Sequence, residues 1–123
     1  MARPTTTPGT QPLLQGTLDM MILKTLATDA NHGYGIARRI KQISDDVLAV
    51  EEGSLYPALH RLEKRGYVES ERRRSETNRQ AKYYRLTAAG RRRLASDTEA
   101  WRSVSRAIGK VMGSARIHRP EIA

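Results

Sequence analysis

Apolar residues recur at helical spacing from Leu13 to about Ala27. Leu14, Leu18, Met21, Ile22 and Leu26 form one stripe, and Leu13, Met20, Leu23 and Ala27 form a second. A helix apolar on two sides must bury two sides, one in its own core and the other against a second subunit. After a polar break at residues 28–31 a second helix is predicted, entered through Gly33 and Gly35, with Ile36, Ile40 and Ile43 on one stripe and Asp45 and Asp46 at its end. Residues 48–50 read as a single short strand. In a third helix Leu55, Ala58, Leu59 and Leu62 make the buried stripe, and Gly66 is placed to stop it. Proline lacks an N–H and is tolerated in the first helical turn, so Pro57 predicts a start within residues 53–56, with Ser54 near the N-cap.

The period then changes. Residues 68–73 and 80–86 are rich in Val and Tyr alternating with polar residues, and a polar tip at 75–79 separates them, the pattern of a β-hairpin. Thr87 is placed to cap a last helix. Within it Leu94, Trp101 and Ile108 are seven apart, and Val104 and Val111 fall three residues further on, as heptad a and d positions do. Asp97 interrupts that seam. The expected organisation is a Thr/Pro-rich disordered arm at 1–12, a DNA-binding domain at 13–86, a dimerisation helix at 87–112 and a flexible tail at 113–123. With 123 residues the chain builds one small domain with a modest core, the size class that gains stability from a partner subunit.

Charge sharpens this picture. Residues 61–93 hold 12 Lys/Arg against four Glu, which concentrates in one stretch almost all of the net +9 of the chain. Cations gathered on a helix and a hairpin are the footprint of a phosphate-binding surface. A high isoelectric point alone also suits ribosomal, nucleoid and membrane-surface proteins, so the framing of the basic residues decides. The chain has no Cys, and His32, His60 and His118 have no metal-ligand spacing, so neither disulfides nor a metal site is expected. No apolar run approaches a membrane span or a signal-peptide core, and a cytoplasmic protein is the default expectation. No catalytic constellation is visible, which argues against an enzyme and against a cofactor.

Three helices, a two-stranded wing and a trailing helix make a mainly α fold, a winged helix-turn-helix with a long C-terminal dimerisation helix. The motifs His32-Gly33-Tyr34-Gly35-Ile36, Gly53-Ser54-Leu55-Tyr56-Pro57-Ala58-Leu59-His60-Arg61-Leu62-Glu63, Gly66-Tyr67-Val68 and Lys82-Tyr83-Tyr84-Arg85-Leu86-Thr87-Ala88-Ala89-Gly90 closely resemble the PadR family of bacterial transcriptional regulators. The resemblance covers roughly residues 14–112 and is to the short branch with a single C-terminal dimerisation helix. It implies a homodimer in which the final helix of each subunit crosses the first and last helices of the other. It also implies repression of transcription, with release from DNA by small planar aromatic molecules in some members. The arm at residues 2–12 and the basic tail depart from the family pattern.

Ser54, Tyr56, Pro57, His60, Arg61 and Lys64 lie off the buried stripe of the third helix, on the side available to a major groove, where side chains near a recognition helix N-terminus meet base edges. Arg72, Arg73, Arg74, Arg79 and Lys82 surround the wing tip and suit a phosphate strand or a narrow minor groove. Tyr34 either meets a phosphate beside the amides of a helix N-terminus or packs on Ile36 and Ile40. Tyr67, Tyr83 and Tyr84 are expected to pack at the wing root. Leu14, Leu18, Leu94, Trp101, Val104, Ile108 and Val111 are the expected dimer interface, and Trp101 has two readings, a dimer-core anchor or one wall of an effector pocket. The expected partners are double-stranded DNA carrying a palindromic operator, a second copy of the chain and a small aromatic ligand. A non-specific architectural DNA- or RNA-binding protein is the alternative.

Overall fold

The computed structural model describes residues 10–74 and 76–114, with side chains from Gly16 onward. Its elements in chain order are α1 (Thr10–Leu26), β1 (Asn31–His32), α2 (Gly33–Ile43), α3 (Glu52–Lys64), β2 (Val68–Arg74), β3 (Gln80–Leu86) and α4 (Ala88–Met112). The apolar stripes explain the packing. Ile22, Leu23 and Leu26 of α1, Ile36 and Ile40 of α2 and Leu55, Ala58, Leu59 and Leu62 of α3 meet in one core, which Val68, Tyr84 and Leu86 close from the sheet. A fully buried leucine such as Leu59 contributes about 1.5–3 kcal/mol relative to an exposed one.

The sheet is antiparallel in the order β1-β3-β2. Val68 pairs with Leu86, Ser70 with Tyr84 and Arg72 with Lys82, so the base of the hairpin carries core residues and its outer half carries cations. A third strand stands where none was expected. Asn31 and His32 pair with Tyr84 and Tyr83 on the free edge of β3, whereas residues 48–50, read as a strand, form none. Asp45 and Asp46 both take positive φ, and the Leu48 amide is tied back to the Ser44 hydroxyl at 3.0 Å, which holds this segment against the end of α2 and away from the sheet.

Two helix starts also differ from the pattern. α1 begins at Thr10, so Pro12 falls in its first turn, where a missing N–H removes no helical bond. The expected arm is shortened accordingly, and residues 1–9 lie outside the described residues, as do 115–123 of the expected tail. α3 begins at Glu52 with Glu51 as its N-cap, which places Pro57 in the second turn. The proline removes the bond that the Gly53 carbonyl would accept, and Ser54 is inside the helix instead of capping it.

The ends of α3 and α4 follow their sequence signals. Gly66 has φ 81°, and the amides of Gly66 and Tyr67 bond back to the carbonyls of Glu63 and Leu62 at 3.0 and 2.9 Å, a helix stop that needs a left-handed residue. The Thr87 hydroxyl accepts from the Gly90 amide at 3.0 Å and donates to the Gly66 carbonyl at 2.7 Å, locking the start of α4 to the end of α3. A Cβ on Gly90 would run into the Tyr67 carbonyl. α4 then leaves the domain: Leu94 packs on the core, while residues 99–113 are exposed. Among the described residues no helix is long and apolar enough to cross a membrane, and no cluster could hold a metal ion.

Candidate nucleic-acid interface

The cleft faces outward between the start of α2, the exposed side of α3 and the wing. It measures about 900 Å³, and Tyr34, Arg38, Arg39, Tyr56, Arg79 and Lys82 are on its walls. Its floor depends on two glycines. A Cβ on Gly33 would lie 2.7 Å from the Tyr56 ring, so glycine there lets α2 approach α3, and one on Gly35 would overlap the Asn31 side chain, so glycine there lets α2 pack against β1. His32 caps α2, its Nδ1 accepting from the Gly35 amide at 3.0 Å. Its ring also lies edge-on to Tyr83, with centroids 5.1 Å apart, and stacks toward Tyr34 at 6.4 Å.

Tyr34 is 65% exposed, which removes the packing alternative on Ile36 and Ile40 and leaves its ring in the cleft with the Arg38 guanidinium 5.9 Å away. Arg38 and Arg39 are functional candidates that the sequence reading left unassigned. The signal was present: both lie off the Ile36/Ile40 stripe of a helix otherwise used only for its core. Ile43, the last residue of that stripe, is exposed because α2 ends there.

On α3, Ser54, Tyr56, Pro57, His60 and Lys64 are exposed, as expected of an outward face. Arg61 is not on it. Its guanidinium turns back to α1 and binds the Asp19 carboxylate at 2.9 Å, because the helix carries position 61 round toward the α1 side. Burial raises the Asp19 pKa, with the Arg61 charge and hydrogen bond opposing.

The wing cations fall into two groups. Arg74 donates to the Asn78 carbonyl and side-chain oxygen at 3.1 and 3.2 Å and so braces the turn, where Asn78 takes φ 64°. Arg73 lies 4.2 Å over the Tyr83 ring and 3.7 Å from Glu71. Lys82 reaches Glu63 at the end of α3 at 3.2 Å. Glu63 also accepts from the Ser70 hydroxyl at 2.6 Å, and this bond, with Lys82 beside it, holds its carboxyl below the usual range. Lys82 therefore ties the wing to the end of α3. Arg72 and Arg79, with Lys64 and His60 on α3, have no ion-pair partner among the described residues. Tyr84 is buried and Tyr67 half-buried at the wing root, and burial raises the Tyr84 pKa.

α4 carries an exposed apolar stripe away from the cleft residues. Trp101 is 48% exposed, Val104 44%, Ile108 50% and Val111 55%, in one stripe along α4. Leu18 is half-buried on α1, and Leu14 lies in α1 with its side chain outside the described residues. Between α1 and α4 is a cavity of about 200 Å³ lined by Met20, Asp19, Arg65, Asp97 and Trp101 among others. Arg93 bonds Asp97 at 3.0 Å across one helical turn, and this contact raises the Arg93 pKa.

Known proteins share this architecture. The family model described as the Transcriptional regulator PadR-like family matches residues 22–96, more than half of the chain. A transcriptional regulator of Mycobacterium tuberculosis is 36% identical over 87 residues, covering 71% of this chain and 78% of that protein. A transcriptional regulator from Clostridium thermocellum superposes with a TM-score of 0.73 at 32% identity, over 81% of this chain and 97% of that one. A PadR-like transcriptional regulator from Bacillus cereus gives 0.71 at 26% identity, over 85% and 99%. All three are named transcriptional regulators, and the two solved structures share the fold described above. The chain belongs to the PadR-like family of transcriptional regulators.

Proposed function

We propose that this regulator is a cytoplasmic homodimer that binds a palindromic operator in double-stranded DNA and represses transcription from it. One observation carries the reading: Arg38 and Arg39 of α2 and Arg79 and Lys82 of the wing line a single cleft with Tyr56 of α3, and of these four cations only Lys82 has an ion-pair partner among the described residues. α3 enters the major groove with Ser54, Tyr56, Pro57 and His60 nearest the bases. Lys64 and the wing residues Arg72, Arg73, Arg74 and Arg79 take phosphates, Lys82 seats the wing, and Tyr34 meets a phosphate at the start of α2.

The dimer is supported by the α4 stripe. Trp101, Val104, Ile108 and Val111 expose a continuous apolar surface, a feature that marks an interaction site on a small protein. A second α4, with Leu18, Leu94 and α1, is the occupant with matching period. Trp101 then anchors that interface, and the adjoining cavity is where a small aromatic effector would lodge.

Two measurements test this. Light scattering at micromolar concentration is expected to give twice the chain mass, and a one-chain mass would contradict the dimer. Titration of duplex DNA across a salt series is expected to show affinity falling steeply as salt rises, one step per neutralised phosphate. Equal retention of every duplex against excess random competitor would favour the architectural alternative.

A further inference from the structure

Asp19 and Arg61 stand out because neither belongs to the cleft and their pairing joins the back of the domain to the recognition helix. The Asp19 side chain is 16% exposed and that of Arg61 32%, and their contact spans α1 to α3 at 2.9 Å. The charged groups facing Asp19 are Arg61 of α3, Arg65 just after that helix and Asp97 of α4. Desolvation offsets much of the attraction in a half-buried pair, so such a pair is weak evidence for stability. Replacing such a pair with apolar side chains is often neutral or stabilising. Position explains it better. Arg61 is one residue after His60 and three before Lys64, at the flank of the outward face, and its side chain is 32% exposed, so an unrestrained guanidinium there would be free to turn toward that face.

We propose that Asp19 is a positioning residue for the Arg61 side chain, withholding its guanidinium from DNA beside the recognition helix. This rests on the DNA-binding reading above. The consequence is selectivity: a phosphate contact strengthens binding to every sequence alike, so a cation kept off the backbone lowers non-specific affinity without touching base readout.

The experiment measures affinity for a random-sequence duplex against salt. Asp19→Asn, which keeps shape and loses charge, is expected to bind more tightly and to steepen the slope of log affinity against log salt by about 0.9, the value of one added phosphate contact. Asp19→Glu keeps the unaltered slope, and the steepening disappears in the Asp19→Asn, Arg61→Ala double variant. A folded Asp19→Asn protein with the slope of the unaltered chain would overturn the proposal, as would a steepening that survives loss of Arg61. If the unaltered chain itself shows a flat slope, the DNA-binding reading fails with it. Should Asp19→Asn not fold, the Nε–H resonance of Arg61 in the unaltered chain decides: it stays in place on addition of duplex if Asp19 holds it, and its shift would overturn the proposal.

Discussion

Single side chains in this protein divide between holding the cleft open and facing out of it. Gly35 belongs to the first kind: alanine there must displace the Asn31 side chain, whose oxygen accepts from the His32 amide at 2.9 Å. Gly35→Ala is expected to cost about 1–3 kcal/mol, the usual penalty of overpacking, read as a lower urea midpoint at unchanged slope. Lys64 and Arg79 belong to the second. Replacing either by alanine should weaken binding to all sequences and flatten the salt slope by about one unit, whereas His60→Ala should change the ranking among sequences. Identical effects of Lys64→Ala and His60→Ala on a preferred site and on random DNA would contradict this division. Arg61 was grouped with them from the helical pattern alone. Nothing in the residues around position 61 shows that Asp19, 42 positions away, takes its side chain.

At the level of elements, local chemistry determined what could be read in advance. Gly66 and Thr87 are legible because a left-handed stop and a hydroxyl cap are each made by one residue with its own neighbours. Thr87→Ala removes both the α4 cap and the bond to Gly66, and about 0.5–2 kcal/mol of stability should go with it, measurable by thermal unfolding. An unchanged midpoint would mean that α4 starts without this lock. The wing was legible from its period of two and the buried stripes of α2 and α3 from 3.6, whereas in α1 the core takes Ile22 and Leu26 from one expected stripe and Leu23 from the other. The β1 strand was not, since two residues carry no period and acquire strand geometry only from the open edge of β3. The start of α3 was misplaced for a related reason: the preference of proline for a first turn is a tendency, and packing of Leu55, Ala58 and Leu59 keeps the helix going through the bond that Pro57 lacks.

Across the whole molecule, a basic cleft and an exposed apolar stripe on α4 are built from different residues, and the proposed function needs both. Trp101 belongs to the apolar part twice over, since it lies on the α4 stripe and on the wall of the α1–α4 cavity. If it anchors the dimer, Trp101→Ala loses about 3–5 kcal/mol, the dimer dissociates at micromolar concentration and DNA binding falls with it. A folded, DNA-competent variant that no longer responds to aromatic ligands would instead assign Trp101 to an effector site. The claim on which everything else depends is that two copies of the cleft read one DNA sequence together. Selection of bound duplexes from a random pool measures this directly. The expected product is an inverted repeat whose half-sites are centred about one helical turn, roughly 10–10.5 base pairs, apart, matching a two-fold dimer. Enrichment of a single unrepeated half-site, or no enrichment at all, would contradict it.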